Sequence, residues 1–216
     1  LMAKLVGIQY ARADIDFTRS TFRVRDDLDD IKTQLLNDVD RCIVEALWEG
    51  ISGPAMTDIT GLNENQLDNK NRKLYFNDGR ILNLTDILYE DLVNAFKQIE
   101  YICYGETLRV KSMVGHGRLY KERDNALGEL DSADRRFRWI YRKIQKYREH
   151  VGMPWLTMKI IQNSGFAHYL QLGMEQTGLS IKDFLKTEKG NKLMRRYGYE
   201  SKYAVDNVIH KYKDYV

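Results

Sequence analysis

Cysteine and proline are nearly missing from this chain, with two of each in 216 residues. No stretch approaches the roughly 20 consecutive apolar residues that span a bilayer. Cys42 and Cys103 lie far apart and on apolar helical faces, a placement that supports neither a disulfide framework nor a zinc motif. Both are expected as small buried hydrophobes. The four histidines, His116, His150, His168 and His210, have no short metal-ligand spacing, and no Ser or Cys stands in a nucleophile motif. These absences predict a non-enzymatic protein without metal or cofactor. Leu1 to Gln9 is too short and too soon polar for a secretory leader, so the expectation is a cytoplasmic protein with no membrane partner.

What is present is enough to fold. Apolar residues make up 43% and charged residues 30%, with 14 Tyr among them, a composition too hydrophobic and aromatic for disorder. The net charge of +3 conceals an asymmetry: residues 1–134 hold 17 Lys and Arg against 24 Asp and Glu, net −7, whereas residues 135–216 hold 17 against 7, net +10. Such a split steers the basic half toward a polyanion, or lets halves of neighbouring copies attract one another.

Short alternating runs at Leu5–Ile8, Ile15–Phe17 and Thr21–Val24 suggest a small N-terminal hairpin. The acidic run Asp26, Asp27, Asp29, Asp30 opens a helix whose stripe, Leu28, Ile31, Leu35, Val39, Cys42 and Ala46, predicts one element ending near Trp48 and Gly50. Its carboxylates offset the helix macrodipole, and the run lacks the glycine and spacing of a calcium loop. Gly53-Pro54 breaks the chain. Asn63 then offers an N-cap after Gly61, and Asn77-Asp78-Gly79 between two apolar, alternating runs signals a hairpin.

A helix, a turn, a second helix and a hairpin over residues 34–84 resemble the winged-helix form of the helix-turn-helix regulators, the class that includes the MarR-type repressors. The resemblance implies a reading helix presenting Glu64, Asn65, Asp68, Asn69, Lys70 and Arg72 to the major groove, with Arg80 on the wing. The same residues also suit a turn and hairpin in an ordinary packed domain.

From Thr85 the spacing of Ile87, Leu88, Leu92, Ala95, Phe96, Ile99 and Cys103 predicts a further helix, ended by Gly105, with a strand at Leu108–Val110. Gly115-His116-Gly117 reads as a joint, because it lacks the remainder of a phosphate-loop motif. Beyond it, Leu119, Ala126, Ala133, Ile140 and Tyr147 recur every seven residues. Leu130, Phe137, Ile144 and Val151 interleave with them. This pattern predicts one long helix over about 118–151, packed along its length against another helix of this chain or of a second copy.

The second half of that helix is strongly basic. Arg135, Arg136, Arg138, Arg142, Lys143, Lys146 and Arg148 stand against Glu149 alone, more than dipole compensation requires, since that effect fades within about one turn. Trp139, Tyr141 and Tyr147 lie among them, a mixture able to meet phosphates and stack on bases. Past Gly152, Pro154 can open a helix that Gly165 is expected to divide. Thr177-Gly178-Leu179-Ser180, with a capping box to Asp183, forms a second junction like a helix-turn-helix near residues 165–197. Its second helix directs Lys182, Lys186, Lys189, Arg195 and Arg196 outward, and Gly190 would interrupt it. A last helix follows Ser201.

The expected fold is mainly α, a helical bundle built on the long heptad-patterned helix, with small β-hairpin elements in the N-terminal half. Its expected parts are an acidic α+β domain over 1–113 and a basic helical domain over 114–216. The expected function is non-enzymatic binding of DNA or RNA by Arg135, Arg136, Arg138, Arg142, Lys143, Lys146, Lys182, Lys186, Lys189, Arg195 and Arg196, with self-association or another helical protein on the heptad seam. The alternative is a structural or adaptor subunit of a larger assembly, such as a virion or multisubunit machine, with no nucleic-acid contact.

Overall fold

The computed structural model describes residues 25–105, 107, 109–123, 132–199 and 202–212. The N-terminal hairpin and the middle of the expected spine, residues 124–131, lie outside them. The described chain is mainly helical with two small antiparallel sheets.

Helix α2 (Asp38–Trp48) forms the centre. Val39, Cys42, Ile43, Val44, Ala46, Leu47 and Trp48 cover most of its circumference, and each is at most 1% exposed; a helix apolar on nearly every side belongs inside a fold. Helix α1 (Arg25–Gln34) lays Leu28 and Ile31 into the same core. The single helix expected over this stretch is two, because Asn37 is extended (φ −124°, ψ 141°). Its carboxamide accepts from the Ile102 N–H at 2.7 Å and donates to the Ile102 carbonyl at 3.0 Å, taking the place of a strand partner.

Beyond a short helix α3 (Thr57–Thr60), Asn63 caps a single 3-10 turn, Glu64–Gln66, with Gln66 completing the capping box. Strands β1 (Leu67–Asp68), β2 (Lys73–Tyr75) and β3 (Ile81–Asn83) then form an antiparallel meander. The hairpin at Asn77-Asp78-Gly79 forms as expected, with Gly79 at φ 86°. The reading helix implied by the winged-helix resemblance does not form. The Asp68 carboxylate accepts from the N–H groups of Lys70 and Asn71, both at 3.0 Å, and this side-chain turn folds the chain back where a helix would continue.

Helix α4 (Asp86–Lys97) opens on the Thr85 cap. It stops six residues before Cys103, since Glu100–Cys103 is strand β4, paired with β5 (Arg109–Val114) so that Tyr101 faces Lys111 and Cys103 faces Arg109. Strand β6 (Glu122–Arg123) pairs antiparallel with the end of β5. Cys42 is therefore buried in a helix as expected, and Cys103 is half-buried in a strand.

The spine is shorter than its heptads suggest. Helix α5 runs Ala133–His150, capped by Ser132, whereas residues 117–121 are a non-helical segment of turn and bends bonded across neighbouring chain. Gly117 N–H donates to the Phe96 carbonyl, Leu119 N–H to Leu62, and the buried Lys121 ammonium to the carbonyls of Phe96 and Gln98. Leu119 is buried by this segment and not by a helical seam. Ile140, Ile144, Tyr147 and Val151 do point inward, so the pattern holds over the second half.

Helix α6 (Met158–Thr177) runs straight through Gly165. That glycine lets α6 lie against α2, for a Cβ there would sit 2.0 Å from the Trp48 carbonyl oxygen. After Gly178 (φ 66°), the Ser180 cap opens α7 (Ile181–Phe184) and Thr187 opens α8 (Glu188–Arg196). The break between them replaces the single helix expected here. Gly190 packs so near the Phe184 carbonyl that a Cβ would come within 2.2 Å. Helix α9 (Lys202–Tyr212) packs back on α6.

Two apolar clusters result. The first surrounds α2 and extends to Ile161, drawing on residues either side of 113. The second gathers Phe166, Leu170, Phe184, Tyr197, Tyr199 and Val205 around the later half of α6. Among the described residues no helix is long and apolar enough to cross a membrane.

Candidate nucleic-acid interface

Helix α5 divides its basic residues between two faces. On the inner face Lys143 is buried, and its ammonium donates to Asp40 at 2.7 Å and lies 3.9 Å from the centre of the Tyr101 ring. Asp40, on α2 and fully buried, also accepts from the hydroxyls of Tyr147 (2.7 Å), Tyr104 (2.8 Å) and Tyr101 (2.9 Å) and from the Asn37 carboxamide (2.9 Å). Five donors around one carboxylate compensate for its removal from water. Burial and the Asp40 charge together hold the three tyrosines protonated well above their ordinary range, and burial draws Lys143 below its own despite Asp40.

Two more acids, Glu45 on α2 and Glu49 capping its end, are treated alike. Glu45 receives the Arg25 guanidinium through two nitrogens at 2.7 and 2.8 Å and Lys32 at 2.8 Å, and Lys32 also reaches Asp91 on α4 at 2.5 Å. Burial raises the Asp91 carboxyl against the pull of Lys32. Glu49 accepts from the Tyr169 hydroxyl at 2.5 Å and pairs with Arg196 of α8. Arg196 also donates to the Glu49 carbonyl, and the Tyr197 hydroxyl to that of Trp48. These bonds satisfy carbonyls that the end of α2 leaves without intrahelical partners.

The outer face of α5 is different. Arg138, Arg142 and Lys146 stand one turn apart and exposed, with Tyr141 beside them at 48% exposure. Arg138 pairs with Asp134. Arg142 and Lys146 make no ion pair among the described residues. Arg135 and Arg136 are half-buried at the start of the helix, and the Arg136 guanidinium lies 5.6 Å from the centre of the Tyr120 ring. Trp139 also packs on Tyr120, ring centres 5.1 Å apart, and Tyr147 is wholly buried, so Tyr141 alone of the three aromatics expected to meet bases is exposed.

The remaining expected cations separate in the same way. Lys182, Lys189 and Arg195 are exposed on α7 and α8, and Lys186 is exposed but paired with Asp183 at 2.7 Å. Lys143 and Arg196, both expected to face a ligand, turn inward because a buried carboxylate waits for each. On the meander, Arg72 is held by Asp86 and lies over Tyr89, and Arg80 lies between Asp78 and Asp58 over Phe76. The expected wing thus has its charge met from within. Asp40, Glu45 and Glu49 were missed by sequence reasoning, although acids set among the apolar residues of a buried helix and at its end must be paired to be buried.

Among the described residues no three His, Cys, Asp or Glu side chains converge as a metal site. A family model described as the UvrB interaction domain matches residues 1–41, a short stretch mostly before the described chain. No curated protein matches significantly. Residues 22–216 match the family model described as MrpR, C-terminal catalytic domain. That description names a catalytic domain where the sequence reading expected no enzyme. With the match running from residue 22 through every described helix and sheet, the chain belongs to the MrpR C-terminal catalytic domain family.

Proposed function

We propose that this domain binds nucleic acid through the outer face of α5, with the exposed cations of α7 and α8 adding to the field. The observation that carries the reading is the pair Arg142 and Lys146. They stay in solvent without an internal acid, whereas the cations at 25, 32, 143 and 196 are consumed by buried carboxylates. Cations in a row exchange condensed counterions for contacts along a phosphate backbone, so affinity falls steeply with salt.

Binding of labelled duplex and single strands at two salt concentrations tests this. The expected result is salt-dependent binding that the double variant Arg142→Glu, Lys146→Glu weakens at least tenfold. Absence of binding at low salt overturns it and favours the adaptor reading, which a mass measurement in solution then tests through self-association.

The family's description favours a second reading, in which the bound strand is also a substrate. Its signature is a new labelled species on a denaturing gel, formed by the unaltered chain and lost with the double variant. An unchanged strand under conditions of saturated binding counts against it.

A further inference from the structure

We infer that the buried Glu49 is a positioning residue for polyanion binding, holding the C-terminal end of α8 and so fixing where the exposed Lys189 and Arg195 stand. This rests on the reading of the exposed cations of α5 and α8 as a nucleic-acid surface and names what places the α8 part of it.

Helix α8 has nine residues, too few to be stable alone in water, so its position is set by what it packs against. Its first turn is fastened locally: Thr187 caps it, and Gly190 lies against the Phe184 carbonyl. Leu193 and Met194 then join the second apolar cluster. Its last turn crosses to the first. Arg196 donates through Nε to the Glu49 carbonyl and through a terminal nitrogen to the Glu49 carboxylate, and the Tyr197 hydroxyl donates to the Trp48 carbonyl. The Glu49 carboxylate also accepts from Tyr169 of α6 at 2.5 Å and lies 3.4 Å from the hydroxyl of Thr85, the cap of α4. Its side chain is 2% exposed, against 25% for Arg196.

A buried acid approached from α4, α6 and α8 is a fixed point. The planar guanidinium, engaged on two acceptors, sets the direction of the last turn of α8 as well as its distance from α2. Lys189 and Arg195 stand on this helix in solvent, with no ion pair among the described residues. Cations held at set positions meet a polyanion without first being ordered, whereas those on a loosened helix must give up that freedom on binding.

The sign of the charge separates positioning from simple attraction. Glu49→Gln removes an acid and releases the Arg196 guanidinium, and both changes strengthen the field toward a polyanion. A loss of affinity in a folded variant therefore runs against its electrostatics and reports displacement of α8.

The test is a double-mutant cycle on the full chain with a labelled mixed-sequence duplex. It joins Glu49→Gln to the pair Lys189→Ala, Arg195→Ala, with far-UV circular dichroism confirming the fold at the binding temperature. In the otherwise unaltered chain, Glu49→Gln is expected to lower affinity about fivefold and the log–log salt slope by about one unit. In the chain already lacking Lys189 and Arg195 it should lower neither. Unchanged or higher affinity in the otherwise unaltered chain, or an equal loss in both backgrounds, overturns the inference. Should Glu49→Gln not fold, Arg196→Lys takes its place in the cycle with the same expected outcomes, since it keeps the charge and loses the planar fork. If the pair Lys189→Ala, Arg195→Ala leaves binding unchanged while Arg142→Glu with Lys146→Glu weakens it, the reading of α5 stands and this inference falls. No binding by the unaltered chain overturns both.

Discussion

Lys143 and Arg142 are neighbours in sequence and opposites in circumstance. One lies inside the protein against Asp40 and Tyr101; the other stands in solvent with no ion pair among the described residues. The two faces of α5 teach that a cation's role depends on whether a carboxylate lies across from it, which a helical projection of one segment does not reveal. The inner charges belong to the fold, and the outer ones are available to a ligand.

That contrast is broken most severely at its inner centre. Asp40→Ala leaves the Lys143 ammonium and three tyrosine hydroxyls buried without their acceptor, and is expected to cost about 3–5 kcal/mol of unfolding free energy by urea titration. Next is Arg196→Met, which strips the Glu49 carboxylate and the end of α2 of a charged donor. It should cost about 2 kcal/mol, while Tyr169 still donates to Glu49. Lys189→Ala, in the same helix and exposed, should change stability by less than about 0.5 kcal/mol. Near-equal effects of these two would remove the distinction between inward and outward cations.

On the outer face, Arg142→Glu with Lys146→Glu should leave unfolding within about 0.5 kcal/mol of the unaltered chain. The same variant should flatten the salt dependence of polyanion binding by about two units in the log–log slope.

A further expected effect concerns pH. Burial without a contacting carboxylate lowers the Lys121 ammonium to about 8 from 10.5. Between those values the unfolded chain holds a proton that the folded chain has released, so stability rises with pH across that window. Lys143, also lowered, acts in the same sense. Above about 10 the trend reverses. Tyr101, Tyr104, Tyr147, Tyr169 and Tyr197 stay protonated in the fold while their unfolded counterparts ionise. Thermal unfolding followed from pH 8 upward should show the rise, and Lys121→Met should diminish it.

Local signals in the sequence carried through well. Thr85, Ser180 and Asn63 cap as their side chains suggest, and Asn77-Asp78-Gly79 turns a hairpin, because these effects involve residues a few positions apart. Signals requiring distant partners did not. The Leu119 heptad position is apolar for a loop packed on Leu62, and the stripe ending at Cys103 passes into a strand because Ile102 pairs with Val110 and Asn37. Gly165 reads as a breaker until α2 is placed beside it. For the candidate interface, ten of the eleven expected cations lie on exposed or half-buried positions, and the two that turned inward, the buried Lys143 and the half-buried Arg196, did so toward Asp40 and Glu49, acids more than a hundred residues away in the chain.

Helix α6 belongs to both apolar clusters: Ile161 lies in the one around α2, and Phe166 and Leu170 in the other, on a single uninterrupted run of backbone hydrogen bonds. A beam shared in this way makes the two clusters mechanically and thermodynamically inseparable, because melting either one frays the helix that the other is built on. The described fold should accordingly lose its structure in one cooperative transition, with amide hydrogens in the middle of α6 the last to exchange.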